Sequence, residues 1–327
     1  MNKLETSFAG LKLKNPLIVS SSGLTNSVER NKRWEEAGAA AVVLKSLFEE
    51  QIMMESARMQ KSNGYGEENE YLMTYYRGHC LNEYIELLRG TKEQCSIPVI
   101  ASINCYSDAE WTDFAHTLEE AGADAIELNI MAIQSEIDYA YGSFEQRHID
   151  ILRKVKAVVD IPVIVKLGSR FTNCIPLIDQ LYANGVAAVV LFNRMASPDI
   201  QINTMTYTTG EVLGNPSDIS EVIRWIGLAS ARIPSLNLIA SGGVGDGAAL
   251  VKVILAGAQA AEVCSTLYRH GASQVQSMLY FMESWMEEHG YESIVQFKGR
   301  MNATGMEDET VFERTQFFKY FSQKEPY

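Results

Sequence analysis

Hydrophobic positions along the chain fall into two alternating patterns. Four segments pair a small residue and glycine with an apolar run: EAGAAAVVLKS, EAGADAIELN, ANGVAAVVLFN and LAGAQAAEVCS. Each follows a stretch with helical apolar periodicity. Gly38, Gly122, Gly185 and Gly257 are therefore predicted to cap helices and feed buried strands. Between them lie SIPVIASIN, DIPVIVKLG and RIPSLNLIASGG, where a proline ends a loop and opens a strand. The alternation predicts seven strands, and PLIVSSS at residues 16–22 is the first of eight. Neighbouring junctions of one type are separated by two βα units of ~30 residues or slightly more.

Strands that are apolar throughout belong to parallel sheets covered on both faces. Eight such units with right-handed crossovers predict a closed (β/α)8 TIM barrel in the α/β class, one domain over residues 1–327. An open doubly wound sheet would give no reason for the even alternation. Two insertions interrupt the array: residues 47–78 after strand two and residues 194–216 after strand six. A tail runs from about residue 303 to 327, and TVFERTQFFKYFSQKEPY makes it aromatic.

In such a barrel the residues at the strand ends build the active site. Here they are Ser21-Ser22-Gly23, Lys45-Ser46, Asn104-Cys105, Asn129, Lys166, Asn193, Gly242-Gly243 and Cys264-Ser265-Thr266. SGGVGDG and CSTLYRHG follow strands seven and eight, the usual phosphate cradle of this fold, where glycines admit backbone N–H groups. A tight strand-to-helix turn would use the same glycines. GVGDGA also fits a loose dinucleotide fingerprint, but it sits at the seventh repeat rather than opening a Rossmann unit. Lys45 and Lys166 close apolar runs and must find a counter-charge. Each could pair with an acid such as Glu127 or Glu262, or stand beside a flavin ring as a tuning cation. Lys166 could alternatively act as a Schiff-base nucleophile in a lyase. Asn104, Asn129 and Asn193 offer donor and acceptor to an amide-like edge, or cap the helices after them.

Composition narrows the classes. The 327 residues carry a formal net charge of -13, with 46% hydrophobic and 21% charged residues. That acidity disfavours nucleic acid and anionic membranes as partners. The N-terminal segment has no secretory h-region, and no apolar stretch approaches membrane-spanning length. The five cysteines show no paired spacing, which fits reduced thiols in a cytoplasmic protein, and the five histidines show no metal-site pattern.

Taken together, KNPLIVSSSG, AVVLKS, ASIN, ELNI, VIVKLG, VVLFNR, IASGGV and VQFKGRMN resemble the class 1, soluble dihydroorotate dehydrogenases. The resemblance spans about residues 4 to 302. It implies an FMN-binding barrel that oxidises dihydroorotate to orotate in pyrimidine biosynthesis, and commonly a homodimer. Ser21, Ser22, Gly23, Lys45, Ser46, Asn104, Asn129 and Lys166 would contact the flavin. Gly242, Gly243, Cys264 and Ser265 would hold its phosphate. Lys45, Asn129 and Asn193 would meet the substrate.

Three departures stand out. The family's loop after strand four reads like N-x-S-C-P-N, with Cys or Ser as general base. Here it is Asn129 to Ser135, with Ala132 in the base position. The family's substrate loop after strand two is replaced by NGYGEENEYLMTYYRGH, and Arg194 follows Asn193. Flavin binding is thus expected to persist while the substrate machinery is rewritten. Ser135, Cys105 and Glu127 are the candidate substitute bases, with Lys166 the other catalytic candidate. A different dihydropyrimidine-like substrate or a non-catalytic flavin barrel are the competing expectations.

Overall fold

The structure is a computed structural model that describes residues 3–48, 69–104 and 111–305, with side chains described from residue 79 in the second segment and from residue 112 to 304 in the third. Eight parallel strands form the barrel: β3 (Leu17–Val19), β4 (Ala41–Val43), β6 (Val99–Asn104), β7 (Ala125–Ile130), β8 (Val163–Gly168), β9 (Ala188–Asn193), β12 (Asn237–Ser241) and β13 (Ala260–Val263). They pair in the order β4-β3-β13-β12-β9-β8-β7-β6, and a β4–β6 pairing closes the ring. This is the expected (β/α)8 TIM barrel. The short β5 (Leu47–Phe48) extends β6.

The helices between strands are α1 (Val28–Glu36), α2 (Asn69–Gln94), α3 (Trp111–Glu120), α4 (Ser143–Lys156), α5 (Ile175–Ala183), α6 (Ile219–Arg232) and α7 (Gly247–Ala256). The eighth strand leads into α8 (Ser265–His270) and α9 (Ser273–Glu288). The four junction glycines all carry positive φ, between 78° and 121°, as helix-terminating glycines should. The insertion after strand six is a hairpin of β10 (Pro198–Gln201) and β11 (Thr206–Thr209). After strand two, residues 49–68 lie outside the described part, but α2 already begins at Asn69. The polar excursion is therefore ten residues shorter than its composition implies. A polar helix surface and a polar loop share one composition, so only periodicity can separate them.

The barrel interior is built in layers. Ile18, Ala41, Ile100, Ala125, Ile164, Ala188, Ile239 and Ala260 form its lower, apolar part. Phe8 and Leu13, from the hairpin of β1 (Thr6–Phe8) and β2 (Leu11–Leu13), join that cluster and close the end. The alanines leave room for these larger plugging side chains. Two residues further along, side chains of the same face recur because they alternate with period two, and on six of the eight strands that face turns polar, while β4 and β9 keep Val43 and Val190 there. Ser20, Ser102, Glu127, Lys166, Ser241 and Glu262 occupy that level, all buried. The opposite strand faces, such as Leu17, Val42, Val99 and Val163, pack under the helices in the main core.

Candidate active site

Strand register assembles the mouth of the barrel. Asn104 pairs with Asn129, and Asn129 with Lys166, so three expected site residues stand in one row across β6, β7 and β8. One step deeper Ser102 pairs with Glu127. A bulge between Leu167 and Gly168 shifts the next strand so that Asn193 faces Gly168. From there Asn193 donates through Nδ2 to Asn129 Oδ1 at 2.7 Å.

Above this row opens a cavity of about 1320 Å³. Its lining includes Ser21, Ser22, Lys166, Asn193, Gly242, Gly243, Cys264 and Ser265, eight residues that the sequence singled out. Gly23, Lys45, Ser46, Asn104 and Asn129 lie outside the lining, although several support it. Ser46 Oγ sits 3.0 Å from Ser21 Oγ and 2.8 Å from Ser102 Oγ, and a Cβ at Gly23 would meet the Tyr268 hydroxyl at 2.8 Å. Lys45 is half-buried at the end of its strand. Ala132 lines the cavity and carries no proton-accepting atom. Ser135 is exposed on the same loop and does not line the cavity. Cys105 lies outside the described residues.

Lys166 sits at the cavity floor as the centre of a charge cluster. Its ammonium donates to Glu262 Oε2 at 2.5 Å and Ser20 Oγ at 3.0 Å, and lies 3.7 Å from Glu127 Oε1. Ser20 Oγ donates in turn to Glu262 Oε2 at 2.8 Å. Burial disfavours the lysine's charge, yet the two carboxylates outweigh it and hold the ammonium above the ordinary lysine range. The carboxyls divide. Burial and the charge of Glu262 push Glu127 well above the usual carboxylate range. Burial also opposes ionisation of Glu262, but Lys166, Glu127 and Ser20 together keep it below. The pairing with Glu127 or Glu262, one of three readings open for this lysine, is realised with both.

The glycine-rich loop after β12 is fitted to its surroundings. Gly243 has φ +71°, and a Cβ there would collide with the backbone N of Ile219, so only glycine fits. Gly245 faces open space, with Gly243 O at 4.0 Å. Its carbonyl accepts from Thr266 Oγ1 at 2.7 Å and Gln274 Nε2 at 2.8 Å. Asp246 caps α7 through Ala249 N, placing a carboxylate at that helix terminus. An anion is therefore better received by the loop amides and the start of α8, where the Leu267 N–H is already taken by Cys264 O and the Ser265 and Thr266 N–H groups precede any intrahelical acceptor. The insertion after strand six reaches across to α8. Gly214 N donates to Ser265 Oγ at 2.8 Å, and Arg269 donates to Gly214 O at 2.8 Å. Arg194 holds the same segment through Asp218 Oδ2 at 2.7 Å and Glu211 O at 2.9 Å.

Among the lining residues that the sequence reading missed are Ser20, Tyr268, Arg269, Lys252 and Gln274. Of these five, Ser20 carried a signal, as the first polar residue after an apolar strand. The others come from helices whose facing surface depends on packing. Among the described residues no cluster of His, Cys, Asp or Glu is arranged to hold a metal, and no helix is long and apolar enough to cross a membrane. The cavity's size, its polar floor and the glycine loop fit a ligand with a flat amide-bearing ring system and a phosphate.

Comparison with known proteins points the same way. The family model described as dihydroorotate dehydrogenase matches residues 3–286. The chain is 27% identical over 311 residues to a protein of Thermoplasma volcanium named dihydroorotate dehydrogenase B (NAD(+)), catalytic subunit, covering 91% of this chain and 98% of the relative. It is 28% identical to a putative dihydroorotate dehydrogenase A (fumarate) of Aeropyrum pernix, covering 91% and 97%. A dihydroorotate dehydrogenase A (fumarate) of Limosilactobacillus reuteri is 28% identical over 80% of this chain and 86% of its own.

Proposed function

The chain belongs to the dihydroorotate dehydrogenase family, whose members are oxidoreductases acting on a CH–CH group, and on that premise we propose that it is an FMN-dependent dehydrogenase of a dihydropyrimidine-like substrate. The observation that carries this reading is Lys166, a buried ammonium held at the floor of the cavity. A fixed cation there stabilises negative charge arriving on a flavin ring. FMN, when bound, would supply a two-electron acceptor that takes hydride at N5. Gly242, Gly243, Cys264 and Ser265 would hold its phosphate. Ser21, Ser22 and Lys166 would lie along its ring, with Asn104 and Asn129 ordering the polar row beneath. Asn193, fixed by Asn129, would present an amide to the substrate.

An ammonium locked between two carboxyl groups is a poor nucleophile, which disfavours a Schiff-base lyase using Lys166. Ala132 favours a second reading, that the substrate is a cyclic amide other than dihydroorotate. The visible spectrum before and after anaerobic addition of dihydroorotate tests both. Yellow protein bleached by dihydroorotate supports the family reaction. Yellow protein that stays oxidised points to another substrate or to a flavin barrel without this activity. Colourless protein that takes up no added FMN refutes the flavin reading.

A further inference from the structure

Glu127 Oε2 is buried and has no hydrogen-bond donor. A carboxylate oxygen in that position is costly, whereas a protonated carboxyl would find an acceptor in its neighbour Glu262. We propose that Glu127 and Glu262 share one proton beneath the cavity, and that this pair takes up the proton released when the substrate is oxidised. The proposal rests on the flavin reading above.

The surroundings of the pair come from the neighbouring strands and α2, and on β12 the uncharged Ser241 pairs with Glu262. Glu127 meets Ser102 Oγ of β6 at 3.5 Å and Lys166 Nζ of β8 at 3.7 Å. Tyr84 of α2 approaches through Ser102, accepting from its N–H at 2.8 Å, and burial pushes that phenol further up, so it stays neutral. Glu262 meets Lys166 and Ser20, and its charge adds to the burial that opposes ionisation of the Cys264 thiol. Two carboxylates against one ammonium would leave a buried negative charge. Two carboxyls sharing one proton, with Lys166, are neutral. Like charges in contact are resolved in this way when a single proton bridges them.

The bookkeeping closes within the site. Oxidation of a CH–CH unit releases one hydride, with both electrons, and one proton. The proton binds Ser20 Oγ, which lines the cavity, while the hydroxyl proton of Ser20 passes to Glu262 Oε2. At rest Lys166, Glu127 and Ser20 keep Glu262 ionised; the negative charge that the hydride brings to the bound acceptor offsets Lys166 and draws the proton onto Glu262, which goes from charge −1 to zero. Glu127 touches no reacting atom; it is a positioning residue that keeps Glu262 ready to accept. No base on the loop that carries Ala132 is then required.

Two measurements on the full chain decide the matter. The infrared spectrum of the ligand-free protein at neutral pH should contain the carbonyl band of a buried carboxylic acid. The band should shift in D2O and vanish in both Glu127→Gln and Glu262→Gln, because each leaves a lone carboxylate beside Lys166. In FMN-loaded protein the midpoint potential should report two protons taken up per two electrons, and one in either variant. The potential of the wild type would then fall twice as steeply with pH. A missing infrared band, or one proton per two electrons in the wild type, overturns the proposal even if neither variant folds. Failure to bind FMN would overturn the flavin reading instead, and the infrared band would still judge the shared proton.

Discussion

Lys166 on β8 and Glu262 on β13 form an ion pair of 2.5 Å across the interior of the barrel, with both side chains almost fully buried. These residues, remote in sequence, anchor the polar layer that separates the apolar plug from the cavity. Removing one member of such a pair leaves an uncompensated buried charge, which costs about 3–5 kcal/mol. Lys166→Met should therefore lower the urea midpoint strongly. Lys166→Met combined with Glu262→Met should recover most of that loss, since Glu127 can remain protonated. Equal midpoints for wild type and the single variant would contradict the pairing.

The acid limb of stability is set in part by Glu35. Its carboxylate accepts from Ser96 N at 2.8 Å, Ser96 Oγ at 2.6 Å and Lys32 Nζ at 2.7 Å, tying α1 to the loop before β6. Burial works against its charge, but these bonds prevail and hold its pKa at about 2 against an ordinary 4.5. A depressed carboxylate stabilises the fold fully above the unfolded value, and the stabilisation fades as pH falls toward the folded one. Between about pH 4.5 and 2 the wild type should lose roughly 1–2 kcal/mol that Glu35→Gln never had, allowing for solvent screening. Parallel stability curves over that window would rule this out.

Two glycines of one loop should fail in different ways. Gly243→Ala forces a Cβ against the backbone of Ile219 and should destabilise the protein by more than about 2 kcal/mol, visible in thermal unfolding. Gly245→Ala enters open space and should leave the melting temperature within a degree or two. If the phosphate lies on this loop, Gly245→Ala should weaken FMN binding about tenfold in a fluorescence titration. Unchanged affinity would move the phosphate elsewhere.

Arg194 is a surface residue with a structural task. Its bonds to Asp218 and Glu211 are half-exposed, so Arg194→Ala should cost less than about 1 kcal/mol. It also orders the segment that reaches over the cavity to Ser265. Steady-state kinetics should show KM raised several-fold with a smaller change in kcat. A variant with wild-type KM would mean that the segment does not frame the substrate.

The fold was legible because its signals are local. Gly38, Gly122, Gly185 and Gly257 declare a backbone requirement that no other part of the chain can supply or cancel. Strand ends were legible for the same reason, and so Ser21, Lys166, Asn193, Gly243 and Ser265 could be named in advance. What the sequence did not decide was pairing at a distance. Lys166 could have faced a flavin alone or an acid, and it took a closed barrel to bring both Glu127 and Glu262 against it. Arg269 and Gln274 belong to helices whose inward face is fixed only by docking. The helical start at Asn69 was hidden by a polar surface.

The junction glycines lie where helices enter strands, at the end of the barrel opposite the cavity. Mutations that reshape the loops around Ala132 or Arg194 therefore leave untouched the corners on which closure of the barrel depends. A descendant of this chain could exchange one substrate for another and still inherit an intact scaffold. The lineage is constrained at one pole of the molecule and free to explore at the other.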